Sequence, residues 1–235
     1  MDVENQTYFL RYLSSSAQLR EKWQYCNLMF TAVSHVLQSV TGMFHADLLH
    51  DWIFQPLGMN HSYYSMDDAA SCQKSNPECK LADSYTWNNE TSSYEKWPLR
   101  ANHPPNGAGG IISNVIDYSS WVRTLMYESG PVSTEGHAMM KSPLSVESTE
   151  ELPYAGPVWY GMGLEGGVYR NHRVYGHNGA ISGYSSQFQF LPGQKFGFVI
   201  FKNSAGYYGM ECMGWRLIDE FLGVSEKDYT DLNKT

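Results

Sequence analysis

The sequence predicts an α+β fold: an antiparallel sheet flanked by helices, with a helical and loop-rich subdomain. Three observations carry this expectation. Apolar residues recur at helical spacing between Gln24 and Val40. Four β-like runs separated by turn signals occupy Val158 to Lys202. An amphipathic helix then closes the chain between Tyr207 and Leu222.

Taken in order, the first helix carries Leu28, Met29, Ala32, Val33, Val36, Leu37 and Val40 at helical spacing. Thr41-Gly42 ends it. A second helix, Phe44 to Phe54, stops before Pro56. Residues 60–106 are rich in Ser, Asn, Asp, Pro and Tyr without apolar periodicity, and read as a long irregular surface region. The glycine turn "GAGGIIS" at 107–113 feeds a helix from Asn114 to Tyr127, and a short helix follows over Thr134 to Met140. Val158–Leu164 and Val168–Tyr175 are expected to form a hairpin around Glu165-Gly166-Gly167. Tyr184–Leu191 and Phe196–Lys202 are expected to form a second one around Pro192-Gly193-Gln194. Length sets a default of one domain for residues 1–235.

Composition narrows the function. The chain is 42% apolar and 17% charged, enough for a sizeable core. A net charge of −8 argues against nucleic acid or an anionic membrane as partner. The opening MDVENQTYFL is acidic and polar, unlike a signal peptide. Asn5, Asn60, Asn89 and Asn233 each begin an N-x-[ST] glycosylation sequon, which suits a secretory history without fixing the compartment. Cys72 and Cys79 are spaced either for a small disulfide loop or as two free thiols. His45, His50 and His61 have no evident partners for a metal, and no phosphate-binding loop is present, so neither metal nor cofactor is expected.

Two short motifs carry chemistry. In "QYCN", Tyr25 offers a phenol able to act as a general base once its proton affinity is lowered. Asn27 offers both a donor and an acceptor to an acyl carbonyl. The bland alternative is a packed tyrosine and a capping asparagine. In "YGHNGAISGY", His177 stands among glycines at a strand end. Gly179 would let a substrate approach the backbone, and the Ala180 N–H would be free to meet a carbonyl oxygen. The alternative there is a structural histidine in a bulge.

The two motifs in this order, with "LMFTAVSHVLQSVTG", "WIFQPLGMNHSYYS", "GAGGIISNVIDYSSWVRTLM" and "YGHNGAISGYSSQFQFLPGQKFGFVIFKNS" around them, resemble the class C β-lactamase-like serine hydrolases. That family includes D-alanyl-D-alanine peptidases, esterases and acyltransferases. The resemblance runs from about residue 7 to residue 222. It implies a β-lactamase/transpeptidase-like fold that is incomplete here, because the family's S-x-x-K precedes Y-x-N and only 24 residues precede Tyr25. Ser71-x-x-Lys74 and Ser93-x-x-Lys96 both follow Tyr25, in polar surroundings, and about one such match is expected by chance.

The resemblance therefore implies a serine hydrolase or acyltransferase acting on a small ester, amide or thioester substrate. The chain is expected to be truncated at its N-terminal side relative to the family and inactive alone. A non-catalytic or partner-completed ligand-binding derivative is the alternative. Tyr25 would be the base together with a lysine outside the chain, Asn27 would orient the substrate, and the Ala180 N–H would hold the oxyanion. His177, standing where the family more often has lysine, would be partly charged near neutral pH.

Overall fold

The computed structural model describes residues 3–98, 107–181 and 183–233. They fall into two compact units, Met1–Leu81 with Arg100–Asp117, and Ala82–Leu99 with Tyr118–Thr235.

The first unit is helical. It contains α1 (Val3–Phe9), α2 (Asn27–Thr41), α3 (His45–Leu49), which runs on through a wider turn to Phe54, and α4 (Met66–Ser75). Helix α2 ends as expected. Gly42 takes the left-handed conformation (φ 70°) and its N–H closes on the Gln38 carbonyl at 2.8 Å. Its buried face is not the aliphatic stripe, however. Thr31 and Ser34 are buried, whereas Val33, Val36 and Val40 are 55%, 56% and 79% exposed. The polar side wins because the chain at Gly107 comes very close: its N–H donates to Ser34 Oγ at 3.1 Å, and a Cβ there would strike the Phe30 carbonyl.

The expectation of an irregular stretch at 60–106 also needs correction. Ser65 caps α4 by accepting the Asp68 N–H at 3.1 Å, a capping serine ahead of acidic first-turn residues. Cys72 and Cys79 are joined by a disulfide. Further on, in the second unit, β1 (Ser84–Asn88) and β2 (Ser93–Trp97) form a hairpin. It was missed because its alternation is carried by Tyr, Thr, Trp and Lys rather than aliphatic residues, and every residue of β2 is exposed. The expectation for 99–106 lies outside the described residues.

The second unit is an antiparallel six-stranded meander, β3 (Ser145–Ser148), β4 (Val158–Tyr160), β5 (Glu165–Tyr169), β6 (His172–Ile181), β7 (Tyr184–Leu191) and β8 (Phe196–Lys202), in that spatial order. Helices α5 (Val115–Tyr127, from Tyr118 onward in this unit), α6 (Thr134–Lys141) and α7 (Tyr208–Phe221) accompany it. Period-two alternation divides the core. Tyr175, Phe188 and Phe190 pack with Val122 and Leu125 of α5, while Val174 and Leu191 pack with Trp215 and Ile218 of α7.

The second expected hairpin is present, turning at Pro192–Gln194. The first is displaced. Glu165-Gly166-Gly167 is strand, not turn, and the reversal is the two-residue loop Arg170-Asn171, both with positive φ (45° and 64°), closing Tyr169 onto His172. Gly166 and Gly167 are small because the rings of Trp159 and Tyr154 lie where a Cβ would stand.

A left-handed conformation is unfavourable for arginine, and its side chain supplies the compensation. Arg170 Nε donates to Asp219 Oδ1 at 2.7 Å, and an Arg170 terminal N–H reaches the Asp228 carbonyl at 2.6 Å. Asp219, 0% exposed, also accepts the Tyr169 hydroxyl and the Thr230 N–H. Burial alone would raise its proton affinity, but these bonds and the Arg170 charge outweigh burial and hold the carboxyl below its usual range.

Asp219→Ala should therefore destabilise the protein by about 2–4 kcal/mol, short of the largest buried-pair losses because Arg170 keeps some exposure. Urea denaturation measures this. A carboxyl with depressed folded-state proton affinity stabilises above its unfolded pKa. Wild-type stability should thus fall as pH drops below about 4, and the variant should lose that part of the slope.

Candidate functional site

Strand β6 builds the site in the second unit. Its first half pairs with both neighbours, as far as Gly176 opposite Glu165, where β5 begins. Its second half, His177 to Ile181, pairs only with β7. Which backbone groups face the vacated side follows from alternation. Tyr169 and His172 close a two-residue hairpin, so the His172 N–H and C=O turn toward β5, and every second residue does the same. Ile181 and Tyr184 likewise close a tight hairpin and turn Ile181 toward β7. Both ends of β6 agree. Asn178 and Ala180 direct their N–H and C=O groups to the side that β5 has left. Ala180 is exposed.

His177 lies across from Phe188 in this strand, not in a bulge. Its Nδ1 is 2.5 Å from the Asn178 carbonyl, which only accepts, so Nδ1 carries the proton. Its Nε2 is 2.9 Å from the Tyr160 hydroxyl. Burial holds the proton affinity of the ring below the ordinary range, against the opposing effect of the Asn178 bond. The ring is therefore neutral at neutral pH, Nε2 accepts, and the Tyr160 hydroxyl donates. This corrects the expectation of a partly charged His177: burial among the strands decides against the imidazolium.

The glycines work differently from the expectation. A Cβ at Gly179 would meet Ser186 Oγ at 2.6 Å, and one at Gly176 would meet the Phe188 carbonyl and the Gln189 side chain. Both therefore serve the close approach of β7.

Tyr25 and Asn27 belong to the first unit. Cys26 between them is extended (φ −146°, ψ 102°) and precedes the first turn of α2, so Asn27 opens the helix rather than capping it. The Asn27 carbonyl accepts the Thr31 hydroxyl at 3.2 Å. Tyr25 is 47% exposed, its ring 6.2 Å from that of Trp23. The structure thus brings His177, Gly179 and Ala180 together on one strand and adds Tyr160, which sequence reading missed. Tyr160 is 17 residues upstream of His177, and only the strand order joins them.

Neither chance S-x-x-K is built for catalysis. Ser71 Oγ donates to the Asp67 carbonyl at 2.8 Å on exposed α4. Lys96 is tied to Asp83 at 2.7 Å, a hydrogen bond and charge that raise its proton affinity where a base needs it lowered. His61, Cys72 and Cys79 hold their ligand atoms within 4.8 Å of one another, but both sulfurs are spent in the disulfide and are not thiolate ligands. No described helix is long and apolar enough to cross a membrane.

Comparison with known proteins places these features. The family model described as Beta-lactamase matches residues 2–222. The chain is 31% identical over 228 residues to unguisins hydrolase ungD' of Aspergillus campestris, covering 96% of this chain and 42% of that protein. It is 24% identical to the D-aminopeptidase of Brucella anthropi, covering 88% of this chain and 36% of that one. The chain thus spans less than half the length of these curated relatives. Among solved structures, the octameric penicillin-binding protein homologue from Pyrococcus abyssi superposes with a TM-score of 0.80 at 22% identity, over 97% of this chain and 49% of that one.

The neutral, doubly bonded His177 makes a measurable claim. In an NMR pH titration its ring should protonate below the usual histidine range, and Tyr160→Phe, which removes the donor to Nε2, should move that titration upward. Because the folded-state affinity is the lower one, protonation costs stability as pH falls below about 6.5. A Tyr160→Phe titration unchanged from wild type contradicts the assignment.

Proposed function

This chain belongs to the Beta-lactamase family, and we propose that it carries the tyrosine and histidine side of a serine acyl-transfer site, with the nucleophilic serine and its lysine supplied by polypeptide outside these 235 residues. In this reading the serine Oγ bonds to the substrate carbonyl carbon, and its proton passes through Tyr25 to the leaving amine or alcohol as the C–N or C–O bond breaks. Water then attacks the acyl-serine, regenerating the enzyme and releasing the acid. Asn27 orients the substrate carbonyl, and the Ala180 N–H stabilises the tetrahedral oxyanion.

The observation that carries the reading is the strip His177–Ile181, whose Asn178 and Ala180 backbone groups face the side that β5 has vacated. An acyl chain laid there gains main-chain hydrogen bonds and presents its carbonyl to Ala180. The neutral His177 refines the substrate class. A neutral ring offers no charge to a substrate carboxylate, so the reading favours esters and amides without a free carboxylate beside the scissile bond over penicillins. Completion by further polypeptide is supported by the exposed apolar stripe of α2 and by β8, which pairs with β7 alone among the described residues. The second reading, a non-catalytic ligand-binding form, is supported by the local bonding of Ser71 and Lys96.

The test has two arms. The 235-residue chain, incubated with a fluorophosphonate probe, should show no stoichiometric adduct by intact mass; an adduct on Ser71 or Ser93 overturns the reading. The chain fused to the upstream segment of the Aspergillus campestris relative should hydrolyse p-nitrophenyl esters in preference to penicillin. Tyr25→Phe in that fusion should lower kcat by about 10²–10⁴-fold. A folded fusion that binds acyl ligands without turnover favours the non-catalytic form.

A further inference from the structure

The first unit gathers three metal-ligating side chains that the acyl-transfer reading does not use. His61, Cys72 and Cys79 hold an imidazole nitrogen and two sulfurs within 4.8 Å of one another, and no other such trio of His, Cys, Asp or Glu occurs among the described residues. His61 is exposed and both cysteines are half-buried, so the cluster opens to solvent.

Two separate frames bring the trio together. The backbone fixes the histidine. The His61 N–H donates to the Asp117 carboxylate at 2.7 Å, and the Ser62 hydroxyl donates to the same oxygen at 3.0 Å. Tyr63 then exchanges both backbone hydrogen bonds with Ile112 at 2.8 Å. Helix α4 and the turn after it fix the cysteines. Cys72 lies in the last turn of α4, where its carbonyl accepts the Asn76 N–H at 2.8 Å. Asn76 folds the chain back: its side-chain oxygen accepts the Glu78 N–H at 3.0 Å, and its carbonyl accepts the Cys79 N–H at 3.0 Å. None of these bonds uses a sulfur, so they hold the three residues whether or not Cys72 and Cys79 are joined.

A disulfide needs only the two sulfurs, and the third member suits a metal. Tetrahedral zinc, with Zn–S of about 2.3 Å and Zn–N of about 2.0 Å, sets its ligand atoms about 3.5–3.8 Å apart. The 4.8 Å envelope contains that spacing. The Cα atoms of Cys72 and Cys79, 5.9 Å apart, allow the two sulfurs to separate to it by side-chain rotation. The Tyr63 hydroxyl, 3.9 Å from Cys79 Sγ, stands where it can donate to a thiolate. Two thiolates and an imidazole select zinc over calcium and magnesium, which seek oxygen. With three protein ligands, water takes the fourth position.

We propose that His61, Cys72 and Cys79 form a zinc site that becomes available when the Cys72–Cys79 disulfide is reduced. The reductant is a thiol of the glutathione or dithiol class. Two of its thiol groups give up two electrons and two protons and become a disulfide, while the Cys72–Cys79 bond breaks and both sulfurs become thiols. Zinc then displaces the two protons to solvent and bonds to both thiolates and the His61 ring. The chain from Cys72 to Cys79 is closed in either state, covalently when oxidised and through zinc when reduced.

Cobalt titration of the full chain tests this, because cobalt occupies zinc sites and its absorption reports the ligands. The chain is reduced with a phosphine, desalted without oxygen and titrated. One equivalent should bind, with a thiolate-to-cobalt charge-transfer band in the near ultraviolet and tetrahedral bands in the visible, and zinc should displace it. The disulfide form should show neither band. His61→Ala, which keeps both cysteines, should weaken binding by about tenfold or more. Cys26→Ser/Cys212→Ser, which removes the free thiols, should change it by less than about threefold. Circular dichroism of the reduced, metal-free chain should match that of the disulfide form. The proposal is overturned if the reduced chain binds no cobalt up to about 100 μM, or if binding is equal in His61→Ala or lost in Cys26→Ser/Cys212→Ser. Loss of the helical signal on reduction also overturns it, since His61 would then not be held beside the sulfurs.

Discussion

The structure of the second unit hangs on the register of one strand. Two residues, Arg170 and Asn171, reverse the chain with positive φ at both positions, and this closes Tyr169 onto His172. Once that pair is set, period two leaves no freedom: His177 must face the α5 side with Tyr175, and Ala180 must turn its N–H away from β7. A slip of one residue would exchange these roles and send Tyr175 toward α7. The Asp219 network that grips Arg170 is therefore remote from the site yet sets its geometry.

Strand length completes what register begins. β6 runs ten residues while β5 runs five, so half of β6 emerges beyond its neighbour. An antiparallel sheet obtains an open edge inside its own body by this mismatch, without a bulge or a loop. Burial then tunes the one titratable ring on the strip. Tyr160 and the Asn178 carbonyl use both nitrogens of His177, one as acceptor and one as donor, and the ring has no reason to charge.

Much of this was legible in the sequence, and the failures have physical causes. The helix stop at Gly42, the Pro192 turn and the four aliphatic and aromatic runs of the sheet follow from local rules of conformation and alternation. The family was legible from motif order. Glu165-Gly166-Gly167 misled because glycine marks both turns and close packing, and only the positions of Trp159 and Tyr154 distinguish the two. The helical spacing of α2 names an apolar stripe without naming what covers it; the face that is covered includes Ser34, met by the Gly107 N–H 73 residues further on. His177 was legible as a candidate from its place among glycines, but its bond to Tyr160 and its charge state were not, since strand order is a non-local property. The roles of Tyr25 and Asn27 rest on the motif and the family.

Residue-resolved amide hydrogen exchange along β6 tests the central claim most directly, because it reads register and open edge without requiring activity. The account predicts alternation beyond Gly176: slow exchange at His177 and Gly179, whose N–H groups bond to β7, and fast exchange at Asn178 and Ala180. Protection at Ala180 equal to that at Gly179, or the opposite alternation, would contradict the assignment of the Ala180 N–H to the side that β5 has vacated, and with it the proposed acyl-binding strip.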